Sequence, residues 1–166
     1  FIGEVGLDFA GDRAAAREAQ VAAFERVARA SAGGGKVLSI HAVRAAGEVL
    51  DVLERAGALA GNACIFHWFS GTSDELQRAL RAGCFCSVNP RMLAAKRGRA
   101  YAQAVPAERL LLETDAPSEA GEPYDPAAEA ARLAALLETL AELRRTPVDA
   151  LAARIAETSR ALLFPA

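Results

Sequence analysis

Five short apolar segments, each followed by a helical pattern, constrain this chain more than any other feature. They are Phe1–Val5 (FIGEV), Lys36–His41 (KVLSIH), Ala63–Trp68 (ACIFHW), Cys84–Val88 (CFCSV) and Arg109–Thr114 (RLLLET). Runs this apolar suit strands covered on both faces, as in parallel sheets. Ala15–Ala30 places Val21, Phe24, Val27 and Ala28 at helical spacing, and Val43–Ala56 does the same with Val49, Leu50 and Leu53. Ser73–Ala82 reads as a helix with Ser73 as N-cap and Gly83 just past its end, and Pro90–Tyr101 as a shorter one. Asp125-Pro126 is a cap followed by a first-turn proline, ahead of the stripe Leu133, Leu136, Leu137, Leu140 and Leu143. Thr146-Pro147-Val148-Asp149 starts a last helix in the same way, with the acid at N3. This alternation predicts an α/β fold with right-handed crossovers. Five strands fit an open doubly wound sheet or five-eighths of a (β/α)8 barrel. GEVGLD lacks the glycine spacing of a dinucleotide-binding loop.

Composition narrows the function classes. The chain has 166 residues, 52% hydrophobic and 24% charged, which predicts one globular domain over residues 1–166 rather than a disordered or fibrous chain. A net charge of −2 means that any nucleic-acid contact is a local patch. No apolar run approaches the roughly 20 residues of a membrane helix. No basic stretch precedes an apolar one at the start, so no signal peptide is read there. Cys64, Cys84 and Cys86 are too few for a disulfide scaffold. Cys84 and Cys86 have a zinc-like spacing, but without further cysteines nearby they read as core. A cytoplasmic location is expected.

The metal-capable residues gather at the ends of these runs. Glu4 closes the first, His41 the second and His67 the third, and Asp115 follows the fifth. The chain has only two histidines, and both fall in this pattern. C-terminal strand ends meet on one face of a barrel or an open parallel sheet, where active sites are built. A carboxylate after apolar residues is costly to bury alone, and a divalent cation resolves that cost. Mixed imidazole and carboxylate donors suit zinc, manganese or iron, and water activated by such a metal needs no serine or cysteine nucleophile. Taken singly, Glu4 is also compatible with an arginine partner and Asp115 with a turn before Pro117.

Four motifs carry a family resemblance. GEVGLDF, SIH, FHWFSGT and ERLLLETDAP, together with Gln20-x-x-x-Phe24, resemble in order and spacing the signatures of the TatD family of metal-dependent nucleases. HWFSG, and CFCSVNPRML followed by KRGR, are most similar to the TatD-type nuclease of Qat anti-phage systems, which implies possible partner proteins of such a system. The resemblance runs from Phe1 to about Phe164. It implies a partial TIM-barrel-like metal-dependent hydrolase, with about five of eight βα units present. It also implies a deoxyribonuclease, of 3′→5′ exonuclease type, that hydrolyses DNA as single strands or ends.

The residue roles follow from the same resemblance. Glu4 bridges two divalent ions (Mg²⁺, Mn²⁺ or Zn²⁺), and His41 and His67 complete one site. Asp115 ligates the other ion and orients or deprotonates the attacking water, so that Glu4 and Asp115 are the catalytic pair. Asp8 stands behind the ligands or caps the following loop. Ser70 and Gly71 offer a hydroxyl and a backbone N–H to a phosphate, or simply turn the chain. Trp68 stacks on a base or packs beneath its loop. Arg91, Lys96, Arg97 and Arg99 hold phosphates or form a solvated helix face.

The chain also departs from the pattern. The family's first-strand Asp-x-His-x-His is missing, so three strands are expected before Phe1 and one ion rather than two is expected here. Ser118–Glu122 is acidic where the family has an arginine-bearing loop, and Ser159 and Leu162 stand where it commonly has Asn and Arg. A related amidohydrolase acting on a small amide or ester, and an inactive remnant, are the alternatives.

Overall fold

A computed structural model of the chain describes residues 1–116 and 123–164. The acidic Ser118–Glu122 segment lies outside the described residues. The strands are β1 (Ile2–Asp8), β2 (Val37–Val43), β3 (Ala63–His67), β4 (Phe85–Val88) and β5 (Leu110–Leu112). They form one sheet in the order β1-β2-β3-β4-β5. β1 pairs β2, and β2 pairs β3, in parallel. The helices are α1 (Arg17–Ser31), α2 (Ala46–Ala56), α3 (Ser73–Arg81), α4 (Pro90–Ala94), α5 (Lys96–Ala104), α6 (Pro126–Arg144) and α7 (Val148–Leu163). The expected α/β alternation is therefore present. Among the described residues, no helix is long and apolar enough to cross a membrane.

The chain divides into two compact units, Phe1–Cys86 and Ser87–Ala166. In the first, Leu7, Leu38, Ile40 and Phe66 of the strands are buried, as are Phe24 of α1, Leu50 and Leu53 of α2, and Leu76 of α3. Burial alternates along β2, with Leu38, Ile40 and Ala42 buried and Ser39 and His41 half-buried between them. A strand turns successive side chains to opposite faces, so His41 lies on the face opposite Leu38, Ile40 and Ala42. The Cys64 thiol is pushed up to about 11 by burial, which suits core packing rather than metal binding. In the second unit Leu110, Met92, Leu140 and Leu151 are buried, and Glu113 N–H donates to the Val88 carbonyl at 3.0 Å.

Several boundaries differ from the sequence expectation. β1 runs on to Asp8, so Glu4 lies inside a strand and not at its end. Ile2 pairs Leu38 and Val5 pairs Ile40, so β1 carries one extra residue in this stretch. Such a bulge re-aims a side chain. The cap of α3 is Thr72, not Ser73. The capping-box spacing decides this, because an acid stands three residues after Thr72 (Glu75) but not after Ser73. Pro90–Tyr101 is two helices, because Ala95 is extended between α4 and α5. Asp125 caps α6 as expected, through the Ala127 and Ala128 N–H groups. Thr146 does not cap α7: Pro147 occupies that position, and the Thr146 hydroxyl donates to the Arg144 carbonyl.

Glu75 ties two helix starts together. Its carboxylate accepts the Thr72 N–H at 2.7 Å, the Thr72 hydroxyl at 2.9 Å and the Gly47 N–H at 2.8 Å. Burial pushes the Glu75 carboxyl upward, but these donors and Arg78 outweigh it and hold it below its ordinary value. A depressed carboxylate stabilises the fold above its unfolded-state pKa, and that stability is lost as pH falls through the folded-state value. Glu75→Ala is expected to cost about 1–3 kcal/mol at neutral pH. The difference from the parent should shrink as acid protonates the parent's carboxyl. Urea unfolding at neutral pH and at pH values below the ordinary glutamate range checks both the size and the trend.

Candidate metal centre

The β2–β3 register builds the centre. Val37 pairs Ala63, Ser39 pairs Ile65 and Ile40 pairs Phe66. The same offset carried one residue further brings His41 beside His67, and Nδ1 of His41 lies 3.2 Å from Nε2 of His67. On the other side Gly6 of β1 pairs His41. Glu4 completes a triangle: its Oε1 lies 2.8 Å from His41 Nδ1 and 3.0 Å from His67 Nε2. The Glu4 side chain is 50% exposed and His67 only 9%, so the triangle has a wet edge and a dry floor.

These distances fit a cation. Donors about 2.0–2.1 Å from one metal, at angles between octahedral and tetrahedral, stand roughly 2.8–3.4 Å apart. The three edges here measure 2.8, 3.0 and 3.2 Å. The two imidazole nitrogens and one carboxylate oxygen form the one such cluster among the described residues. Mixed imidazole and carboxylate donors of this kind suit a divalent cation.

Asp8 stands behind His41. Its Oδ2 lies 3.5 Å from His41 Nε2, the ring nitrogen facing away from the triangle, and 2.6 Å from Arg13 Nε. Its Oδ1 accepts the Ala10 N–H at 2.9 Å. Burial pushes the Asp8 carboxyl upward, but the Ala10 N–H, Arg13 and His41 together hold it below its ordinary value. A carboxylate on the outer nitrogen of a ligating histidine fixes the ring and raises its basicity.

The remaining candidates divide between the two units. In the first, Trp68 follows His67 with φ at 43°, and it is half-buried. The Ser70 hydroxyl donates to the Ala42 carbonyl at 3.3 Å. Gly71 is demanded by packing: a Cβ there would stand 2.8 Å from Ala46 Cβ, Glu75 Oε2 and Phe69 Cζ. In the second unit Asp115 adopts φ of 57°, and Arg91 donates to its Oδ2 at 3.3 Å. Lys96, Arg97 and Arg99 of α5 are exposed. Cys86, in the core of the first unit with Cys84, has a thiol pushed up to about 12 by burial.

Two sets of supporting residues were given no role from the sequence, although Gln20 was noted there in the Gln20-x-x-x-Phe24 pattern. Arg13 and Gln20 hold Asp8. Glu113, within the ETD triplet, accepts the Ser87 hydroxyl and, at 2.9 Å, the Asn89 amide, two residues before Asp115. Asn89 also caps α4 through the Met92 N–H, and the Asn-Pro start of that helix was the available signal.

Comparison with known proteins identifies the family. The sequence model of the family described as "TatD related DNase" matches residues 1–164. The chain belongs to the TatD family. The protein named 3′-5′ ssDNA/RNA exonuclease TatD of Edwardsiella piscicida is 38% identical over 120 residues, covering 70% of this chain and 45% of that protein. Deoxyribonuclease Tat-D of Schizosaccharomyces pombe is 30% identical over 115 residues, covering 69% of this chain and 37% of its own length. The chain thus spans about half the length of such TatD relatives, or less. The crystal structure of the TatD homologue YJJV from Escherichia coli superposes with a TM-score of 0.79 at 26% identity, covering 96% of this chain and 62% of that one. The α/β fold with its five-stranded sheet is that of the TIM-barrel-like TatD structures, in part.

Proposed function

We propose that this TatD chain serves in divalent-metal-dependent hydrolysis of DNA, as a 3′→5′ exonuclease acting on single strands or ends. The convergence of Glu4 Oε1, His41 Nδ1 and His67 Nε2 carries the reading. The activities named for its relatives support it. When bound, a divalent ion supplies Lewis acidity that polarises a phosphoryl oxygen and acidifies water. Glu4 contributes the anionic donor and His41 and His67 the neutral ones, which makes one ion the proposed stoichiometry of this triangle. Asp8 keeps the His41 lone pair aimed inward by accepting from the opposite nitrogen. On its sequence motif, Asp115 is proposed to orient the attacking water and accept its proton. Ser70, Gly71, Trp68, Arg91 and Lys96 are proposed to meet the nucleic acid, with Arg91 also balancing the Asp115 charge.

The test uses 5′-labelled single-stranded DNA with Mn²⁺. Digestion from the 3′ end is expected, EDTA should stop it, and His67→Ala should lower the rate by more than the roughly 10–100-fold that loss of an outer partner costs. Circular dichroism confirms that the variant is folded. Undiminished digestion by folded His67→Ala would overturn the assignment. Cleavage of ester substrates with none of DNA would favour the amidohydrolase alternative.

A further inference from the structure

Each of the four polar atoms of Asp8 has a partner, and two of those partners are one side chain. Gln20, on α1, accepts the Asp8 N–H through Oε1 at 2.8 Å and donates from Nε2 to the Asp8 carbonyl at 2.9 Å. Nε2 also donates to the Arg13 carbonyl at 2.9 Å. Arg13 in turn places its guanidinium on Asp8 Oδ2, the same oxygen that faces His41. A primary amide has two donor hydrogens and an acceptor oxygen with two lone pairs; here both hydrogens and one lone pair are spent on this loop.

We propose that Gln20 is a positioning residue of the metal centre, acting through Asp8 to set the ring of His41. The inference rests on the metal-centre reading above. Its force comes from a distance. Asp8 Oδ2 and His41 Nε2 are 3.5 Å apart, at the outer limit of a useful polar contact. A small drift of Asp8 therefore decides whether His41 has a partner on its outer nitrogen. Asp8 is the last residue of β1, and although the Phe9 N–H still donates to the Val43 carbonyl at 2.9 Å, strand pairing fixes only the backbone and leaves the Asp8 side chain to other restraints. Gln20 and Arg13 supply that restraint from the next segment of the chain. A histidine whose outer nitrogen loses its carboxylate holds metal less well.

The experiment compares Gln20→Met, which keeps the length and removes all three hydrogen bonds, with Phe24→Leu. Phe24 is buried on the same helix and lies outside the Asp8 contacts, so it reports loss of packing alone. Calorimetric titration with Mn²⁺ is expected to show Gln20→Met weakened about 10–100-fold and Phe24→Leu unchanged at a lower melting temperature. A second readout needs no metal. With only two histidines in the chain, His67→Ala assigns the imidazole ¹H–¹⁵N signals. An exchange-protected His41 Nε2–H signal is expected in the parent and in Phe24→Leu, and is expected to vanish in Gln20→Met. Mn²⁺ affinity within about twofold of the parent, together with a retained signal, overturns the inference and leaves the metal centre standing. Absence of the protected signal in the parent also overturns it. A parent that binds no Mn²⁺ yet loses the signal in Gln20→Met removes the metal reading and keeps Gln20 as the residue that sets His41.

Discussion

Gly6→Ala is expected to unfold the first unit at moderate temperature and to erase metal binding at any temperature where it stays folded. Gly6 has φ of 146°, a backbone conformation that an L side chain rarely adopts. A Cβ there would lie 1.9 Å from the His41 carbonyl oxygen and 2.8 Å from its carbonyl carbon. Both contacts are with backbone, which cannot swing aside as a side chain does. Because Gly6 pairs His41 in the β1–β2 ladder, the only relief is to push β2 away at the residue that carries a ligand. Strain and overpacking together should cost at least about 3 kcal/mol. At about 2–4 °C per kcal/mol for a chain of this length, the melting temperature should fall by about 6–12 °C. Two controls separate the causes. Gly11 has φ of 53° with nothing within 4 Å of its added Cβ, so Gly11→Ala reports left-handed strain alone. Gly33 has open space and no positive φ, so Gly33→Ala should be near neutral. Differential scanning calorimetry orders the three, and Mn²⁺ titration of the folded fraction reads the site. A Gly6→Ala chain that melts with Gly11→Ala would show that β2 yields without penalty.

The reach of the sequence can be judged on the same residues. His41 and His67 were readable as partners because each stands in an apolar run, and equal strand offsets do the rest, although only His67 ends its strand: β2 runs on two residues past His41, to Val43. Glu4 was readable as a donor but not in its place. A one-residue bulge leaves no mark in composition, since FIGEV is as apolar with the extra residue as without it. Thr72 was legible in principle, because the acid three residues on distinguishes it from Ser73. The loss of Thr146 as a cap was not, since a proline can stand at the cap or at the first turn, and which one follows from packing at the end of α6. Asp8, Arg13 and Gln20 are separated by 5 and 12 residues and belong to a strand end, a 3-10 turn and a helix. No single periodicity links them, so their mutual contacts emerge only in three dimensions. Arg91 shows a different gap: its guanidinium donates to Asp115, an ion pair that its basic neighbours in the sequence did not suggest.

Glu4→Gln is expected to separate holding a metal from holding the fold. The substitution keeps the size of the side chain and removes its charge. Glu4 is half exposed and lies at the bulge, so it contributes little packing, and folding stability should change by less than about 1 kcal/mol. Metal affinity should fall far more, because the charge is the only anionic donor of the triangle. The two remaining imidazoles are neutral donors, and an amide oxygen does not replace a carboxylate toward a divalent ion. The loss should exceed the roughly 10–100-fold attached to an outer partner. Proton linkage gives a second signature. Ligands bind metal in their deprotonated forms, so the parent's affinity should decline as pH falls and its binding should release protons. Calorimetry in buffers of different ionisation enthalpy counts the protons released. Equal affinity for Mn²⁺ in parent and Glu4→Gln would mean that the ion sits on other donors, and would remove Glu4 from the centre.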